Sequence, residues 1–180
     1  IPVEQIVGTK TNSRRNAFAG NFMLKIKKKT EFAYKWSSLY DSHLEEGIRD
    51  PIKAYEYMNK FYVEEGNKRV SILKYFDVTT MAGNVTRILP KRTEEKENKI
   101  YYEFLDFYEV SKINYIWFSK EGSFKKLQKL VGKAPQEAWT EDDCVEFKSI
   151  YTRFKLELLK NYPEPSYTIG DAFLTYVSVQ

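Results

Sequence analysis

The sequence contains a single cysteine, Cys144, and a single histidine, His43, among its 180 residues. One cysteine excludes an internal disulfide framework and fits a reducing cytoplasm. One cysteine with one histidine also excludes the usual zinc-finger ligand sets. His43 falls within a helical pattern and has no cysteine or serine partner that suggests catalysis. We therefore expect it to be structural or solvent-facing.

Long apolar runs are also missing from the chain. No stretch approaches the length of a membrane-spanning helix, and the N-terminal residues show no signal-peptide pattern. We therefore expect a cytoplasmic protein with no membrane partner. The chain begins at Ile1 without a methionine and ends in an apolar, strand-like run. From this we expect a piece of a longer polypeptide, whose remainder is then a partner of these residues.

Aromatic and charged residues are abundant, with 14 Tyr, 12 Phe and 3 Trp, and 30% of the chain is charged. This composition suits one folded domain, or two small ones, with a sizeable core. Residues 1–92 hold 17 Lys/Arg against 10 Asp/Glu, whereas residues 93–180 hold 12 against 15. The basic first half favours an anionic ligand, either nucleotide phosphate or nucleic acid, although a solvated basic surface has the same composition.

Hydrophobic periodicity and turn signals predict a first domain over residues 1–92 with both strands and helices. In order, we predict a strand at 1–6, a polar loop at 8–16, a strand or basic helix start at 18–29, a helix from Thr30 to Gly47, a strand at 52–58, a turn at Asn59-Lys60, a strand at 61–64, a helix at 67–76 and a strand at 84–89. The charged run KRTEEKEN after Pro90 is the predicted domain boundary.

The second half, residues 93–180, is predicted to be a mainly helical subdomain. We expect helices at 99–110, after Ser123 as N-cap, and from Thr140 to about Asn161, with a strand or extended link at 114–118 and a helix or strand after Gly170. The sequence Thr140-Glu-Asp-Asp143 is typical of a capping box, which we favour over a metal site because no second carboxylate cluster lies near it.

The stretch at residues 61–76, FYVEEGNKRVSILKYF, carries the strongest functional signal. It predicts a strand that passes through one glycine into a helix. A helix N-terminus presents unpaired N–H groups and a partial positive charge, so this junction could hold a phosphate or another anion. The predicted ligand residues are Gly66, Asn67, Lys68, Arg69 and Ser71 of the junction, the neighbouring Glu64 and Glu65, and Arg14 and Arg15 of the polar loop.

The order of these elements resembles the ParB/sulfiredoxin-like superfamily over roughly residues 1–92. In that superfamily a helix ending in Gly precedes a Pro-Ile strand, and Gly-x-x-Arg opens a later helix. The matching residues here are Gly47, Pro51-Ile52 and Gly66–Arg69. The resemblance implies a small mixed sheet that binds nucleotide or phosphate over the Gly-x-x-Arg turn. Gly66 would then allow close backbone approach, and Arg69 would pair with phosphate oxygens.

The catalytic residues of that superfamily have no counterpart at the corresponding positions. Sulfiredoxins carry a catalytic cysteine directly after the glycine, and chromosome-partitioning members carry an acidic residue there. This chain has Asn67, which is neither a thiolate nucleophile nor a carboxylate base. Glu64 and Glu65 could hold Mg²⁺ together with a nucleotide, which makes a nucleotide with Mg²⁺ the implied cofactor. We therefore assign no catalytic residue and no protein-only metal site.

Three functions remain open at this stage. The first is a nucleotide- or phosphate-binding regulatory module of a larger bacterial protein. The second is a DNA-binding transcription or partition factor, whose contacts would be Arg14, Arg15, Lys25, Lys27, Lys28, Lys29 and Lys68. The third is a metal-dependent phosphotransfer or nuclease enzyme built on Glu64 or Glu65. We rank them in that order, because no helix-turn-helix pattern and no convincing general base is evident.

Overall fold

Four short strands in the first half of the chain form one mixed sheet. The computed structural model describes residues 1–10, 16–25 and 30–179. The strands are β1 (Ile6–Thr9), β2 (Ile52–Tyr57), β3 (Lys60–Glu65) and β4 (Gly83–Arg87), in the spatial order β1-β3-β2-β4. β2 and β3 are antiparallel, whereas β1 is parallel to β3 and β4 is parallel to β2. This sheet, together with the helices below, confirms the predicted α+β class.

Two helices belong to the same unit as the sheet, which spans Ile1–Pro90. α1 (Glu31–Glu46) begins after the N-cap Thr30 and ends at Gly47, as predicted. α2 (Asn67–Tyr75) begins directly after Gly66. The core combines side chains of the sheet, α2 and the N-terminal segments: Val3, Ile6, Phe22, Ile52, Ala54, Phe61, Val63, Val70, Leu73 and Met81. α1 has no fully buried side chain and packs on α2 through a half-buried stripe.

Two local predictions in this unit are wrong. Residues 1–5 form no strand, because Val3–Gln5 is a single 3₁₀ turn that lets Val3 and Ile6, three residues apart, both enter the core. The hairpin turn is Met58-Asn59 rather than Asn59-Lys60. Both turn residues have positive φ, 52° and 57°. This is the conformation that a two-residue hairpin requires.

A fully buried carboxylate, Glu56, links the hairpin to the edge strand β4. The alternation of β2 directs Glu56 to the same face as Ile52 and Ala54. Its Oε2 lies 2.5 Å from Arg87 Nε, and its Oε1 accepts the Asn59 N–H at 2.6 Å. Removing one partner of a buried charge pair typically destabilises a protein by about 3–5 kcal/mol. The pair therefore fixes both the turn and the position of β4.

The second unit begins at Lys91 and is helical throughout its regular structure. Its helices are α3 (Lys96–Ser111), α4 (Ser123–Leu130), α5 (Glu141–Asn161) and α6 (Ile169–Ser178). The sequence left helix or strand open after Gly170, and α6 shows that this segment is a helix. Residues 114–118 form neither strand nor helix and bend at Tyr115, and Ile116 and Phe118 among them are fully buried.

Aromatic rings form the core of the second unit. Phe124 of α4 contacts Phe107 of α3 with ring centroids 5.2 Å apart, and contacts Phe118 at 4.7 Å. On the other side, Phe173 of α6 packs edge-to-face on Tyr151 of α5 at 5.1 Å. Aromatic pairs at these distances add about 0.5–1.5 kcal/mol each beyond the area that they bury.

The caps of two helices in this unit test the predicted signals. Thr140 and Asp143 form the predicted capping box at the start of α5. The predicted N-cap Ser123 is wrong, because Gly122 occupies the cap position with φ 78° and Ser123 is the first helical residue. The Glu103 carboxylate accepts the Gly122 N–H at 2.8 Å.

Within the described residues, no helix has both the length and the apolar character needed to cross a membrane.

The acidic side chain of the capping box generates a prediction about pH. Lys133 Nζ lies 2.7 Å from Asp143 Oδ2, and this contact, with hydrogen bonds from Thr140, lowers the pKa of Asp143 to about 2. A depressed carboxyl pKa stabilises the fold above the ordinary value of 3.8, and the contribution disappears as the pH falls to about 2. Asp143→Asn should therefore lower the melting temperature at pH 7 and lose this effect near pH 2, as measured by circular dichroism.

Asp142→Asn is the matched control, because it removes the same charge from the same helical turn at an exposed position. It should change the melting temperature less than Asp143→Asn at pH 7. Equal effects of the two variants would contradict the role of the capping box.

Candidate functional site

The junction between β3 and α2 has a backbone conformation that requires glycine. Gly66 has φ +101°, in the left-handed region. A Cβ atom added here would lie 2.5 Å from Ile52 Cγ2 and 3.2 Å from Arg69 Nε. A side chain is therefore excluded both by the backbone angle and by the close approach of β2. The close approach of a ligand to the Gly66 backbone, which the resemblance implies, stays a prediction.

The N-terminus of α2 has unpaired backbone donors. Within the described part of the chain, no side chain caps this helix. The N–H groups of Asn67 and Arg69 likewise have no hydrogen-bond partner among those residues. The first four N–H groups of a helix lie outside its internal ladder, and together they present a partial positive charge. This end of α2 can therefore accept an anion.

A cleft of about 330 Å³ lies in front of this helix end. One part of its lining is the chain from Glu64 to Arg69, and the other is apolar, from Phe18, Phe32 and Leu39. Phe18 and Phe32 contact each other edge-to-face, with ring centroids 5.5 Å apart. The lining thus includes both charged or polar residues and apolar side chains, which suits a ligand with both an anionic and an apolar part.

Two basic side chains of the Gly-x-x-Arg turn lie beside the cleft in different arrangements. Lys68 Nζ is 4.3 Å from the centroid of the Phe32 ring, a cation–π contact. Arg69 Nη1 donates to the Pro51 carbonyl oxygen at 2.9 Å. This bond uses one of the five N–H donors of the guanidinium group. Arg69 thus anchors the start of β2 and still borders the cleft.

Asn67 is the least expected member of the cleft lining. Its side chain is buried, and Oδ1 has no hydrogen-bond partner among the described residues. Leaving a buried acceptor unsatisfied costs about 1–3 kcal/mol. Such a group calls for an explanation, and a water or ion bound beside it is one. No local pattern in the sequence predicts burial of Asn67.

Glu64 and Glu65 are both engaged with lysines. Lys10 Nζ lies 3.0 Å from Glu64 Oε1, and Lys53 Nζ lies 3.1 Å from Glu65 Oε1. The hydrogen bond from Lys10 lowers the pKa of Glu64. A shift in register between β2 and β3 makes this possible, since Lys53 opposes Glu65 while Ala54 opposes Val63. In the part of the chain that is described, no group of three His, Cys, Asp or Glu residues could hold a metal ion.

Among the remaining predicted ligand residues, Ser71 is described and does not line the cleft. Ser71 is fully buried, and its Oγ accepts a hydrogen bond from Trp36 Nε1 at 3.0 Å, so it ties α2 to α1. Arg14 and Arg15 lie outside the described residues. So do Lys27, Lys28 and Lys29, which the DNA-binding hypothesis requires.

The two residues with potential nucleophilic or acid–base chemistry have structural roles. His43 Nδ1 accepts the Ile48 N–H at 3.1 Å, and its ring lies 4.8 Å from that of Phe76. Cys144, in the second unit, donates to the Ser111 carbonyl oxygen at 3.3 Å. Burial raises the pKa of the Cys144 thiol, which is the opposite of what a reactive thiolate needs.

Sequence reasoning missed the apolar wall of the cleft. Phe32 and Leu39 follow helical spacing, a pattern that indicates a core-facing stripe and not a ligand site. Phe18 lies in a segment with an ambiguous period. In the structure this segment forms an isolated bridge between Phe18 and Leu24. No local signal connects these three residues with Gly66, because they meet only through the packing of α1.

The contact at Gly66 can be measured by substitution. Gly66→Ala should reduce the free energy of unfolding of the first unit by about 3 kcal/mol, through the left-handed backbone and the collision with Ile52. Gly47→Ala is the matched control, because Gly47 has φ +77° with nothing within 4 Å of its added Cβ. It should cost about 1 kcal/mol. Urea denaturation measures the free energy of unfolding of each variant, and hydrogen exchange of peptides from residues 52–76 shows whether the loss falls in the first unit. Equal losses for the two variants would contradict the close approach of Ile52 to Gly66.

Comparisons with known proteins return no match for this chain, whether among family models, curated proteins or solved structures.

Proposed function

We propose that residues 1–90 form a regulatory module that binds a phosphate-bearing ligand of the nucleotide class at the N-terminus of α2. The observation that carries the proposal is the uncapped start of α2, which opens into a cleft directly after Gly66. Backbone N–H groups at a helix start bind phosphate without any further specialised group. The resemblance to the ParB/sulfiredoxin-like superfamily supports a nucleotide as the phosphate carrier, in a bacterial, cytoplasmic protein.

The charges around the cleft favour an anion. Lys10 and Lys53 neutralise the two glutamates that precede the helix, so these carboxylates do not oppose an incoming phosphate. Lys68 and Arg69 add positive charge at the helix start itself. An arginine can pair with two phosphate oxygens at once, and a lysine acts as a point charge.

The aromatic wall supports a nucleotide over inorganic phosphate alone. Phe18 and Phe32 line the cleft, and Lys68 Nζ lies 4.3 Å from the centroid of the Phe32 ring. The base or sugar of a nucleotide would add apolar contacts with these two side chains. The ligand would then be held at both its charged and its apolar end.

We propose binding without catalysis. Glu64 and Glu65, which a metal-dependent phosphotransfer mechanism would use, each pair with a lysine. Asn67 follows the glycine at the position where a thiolate or carboxylate would be needed. If a ligand brings Mg²⁺, its phosphates would supply most of the coordination.

Calorimetry with CTP, ATP and inorganic phosphate, each with and without Mg²⁺, tests this proposal. We expect a nucleotide to bind more tightly than phosphate, because it also reaches the aromatic wall. Lys68→Met should weaken nucleotide binding by about tenfold or more, since it removes the charge at the helix start. Methionine keeps an apolar contact with Phe32, so the cleft wall should remain in place.

Lys60→Met is the matched control. Lys60 begins β3, at the opposite end of the strand from Gly66, roughly 20 Å away along the chain. It should change affinity by less than about twofold, because a charge at that distance is screened. If no nucleotide and no phosphate bound to the unmodified protein, or if both lysine variants weakened binding equally, the proposed site would be wrong.

A further inference from the structure

A second cleft, of about 550 Å³, is lined by residues of α3, α4 and the loop that follows α4. Its lining, the α3–α4 cleft from here on, includes three carboxylates of α3: Glu103, Asp106 and Glu109. Residues three apart are neighbours on one face of a helix, and each step rises about 4.5 Å along the axis. The three acidic residues therefore form one row along α3.

Two carboxylates of this row have no counter-charge. Both oxygens of Glu103 accept the Gly122 N–H, at 2.8 Å, so this residue joins α3 to the start of α4. Asp106 and Glu109 are exposed, and neither has an ion pair or a hydrogen bond within the described part of the chain. Like charges at this spacing on a helix repel each other. A cation bound beside them would remove that repulsion.

A buried amide adds a further acceptor to the lining. Gln128 is 4% exposed, and its Nε2 donates to the Pro135 carbonyl oxygen at 3.3 Å. This bond fixes the orientation of the amide, because only its NH₂ side can donate. Gln128 Oε1 has no partner among the described residues and is not sealed from solvent. Since Gln128 lines the cleft, a donor bound there can reach this oxygen.

The same lining has an apolar part, from Val110, Phe124 and Pro135. Phe124 is almost fully buried and belongs to the aromatic core, so its position is fixed by packing. The methylene stems of long amines lie along apolar surface while their charged heads remain with polar groups. Oxygen acceptors beside apolar side chains thus suit a ligand with several N–H donors on an aliphatic stem.

We propose that the α3–α4 cleft binds a linear aliphatic polyamine. Its ammonium groups lie beside Asp106 and Glu109, and one of them donates to Gln128 Oε1. Its methylene groups contact Val110 and Phe124. An ammonium group has N–H donors and no acceptor, which matches a lining rich in carboxylate and amide oxygens. This site lies within the second unit and is independent of the function proposed for the first.

A polyamine matches this lining better than a peptide does. A peptide backbone carries a carbonyl acceptor for each N–H donor, and those carbonyls need donors in turn. Gln128 Nε2 is already bonded to Pro135, which leaves Lys125 and Gln136 as the side-chain donors of the described lining. The cleft volume also falls within the range of small-molecule sites, about 300–1,000 Å³.

Calorimetry of the whole chain with spermidine, at about 0.15 M salt, tests the proposal. Mg²⁺ and a lysine tripeptide serve as comparison ligands, since Mg²⁺ has charge without an aliphatic stem and the tripeptide adds a backbone. We expect spermidine to bind most tightly of the three. Absence of spermidine binding, or binding of either comparison ligand as tightly as spermidine, would overturn the proposal.

Removing the two free carboxylates tests the position of the ligand. Asp106→Asn combined with Glu109→Gln should weaken spermidine binding by about tenfold, because each exposed charge contributes modestly. Glu97→Gln combined with Asp142→Asn is the matched control, since it removes the same net charge at exposed positions outside the cleft lining. It should change affinity by less than about twofold. Equal weakening by the two double variants would show attraction to net charge alone and overturn the site.

The lysine of the lining provides a test of opposite sign. Lys125→Met removes a positive charge that repels the ligand and should strengthen spermidine binding by about threefold. Lys126→Met is the control, because Lys126 is exposed on the same helix but does not line the cleft. Circular dichroism should show an unchanged fold for both variants, since both lysines are exposed. Weaker binding by Lys125→Met, or an equal gain from Lys126→Met, would contradict the proposed position.

Discussion

The contact between Gly66 and Ile52 is the constraint on which the first unit depends. It brings the end of β3 against the start of β2 so closely that only a residue without Cβ fits. Arg69 completes the arrangement by bonding to the Pro51 carbonyl oxygen. The chain turns here with a positive φ, and among the described residues no side chain caps the start of α2. The same packing that builds the core thus places the start of α2 beside the cleft.

Charges serve two different purposes in this unit. The buried Glu56 holds Arg87 and the hairpin turn, so it acts on the fold. Glu64 and Glu65 lie at the surface, where isolated ion pairs contribute little to stability. Their lysine partners offset the negative charge of the two glutamates that precede α2, next to the cleft that Lys68 and Arg69 also line.

The two units obtain their stability differently. The first relies on one face of a small sheet and on α2, while α1 contributes a half-buried stripe and one wall of the cleft. The second has a dense core of aromatic rings, with Phe124 and Phe173 each in contact with several others. A ligand in the cleft would add contacts to α1, the helix that packing holds least, so binding and local order of α1 are expected to be linked.

Local signals in the sequence determined the class of fold, most element boundaries, the caps at Thr30 and Thr140, and the strand–Gly66–helix junction. Periodicity and capping act over one or two turns, so they can be read without tertiary information. The packing decided what surrounds the junction: the aromatic wall from Phe18 and Phe32, the burial of Asn67, and the removal of Ser71 from the cleft. It also decided that Glu56 is buried and that β4 is an edge strand of the sheet. These features depend on which distant segments meet, and no local pattern of residues encodes that.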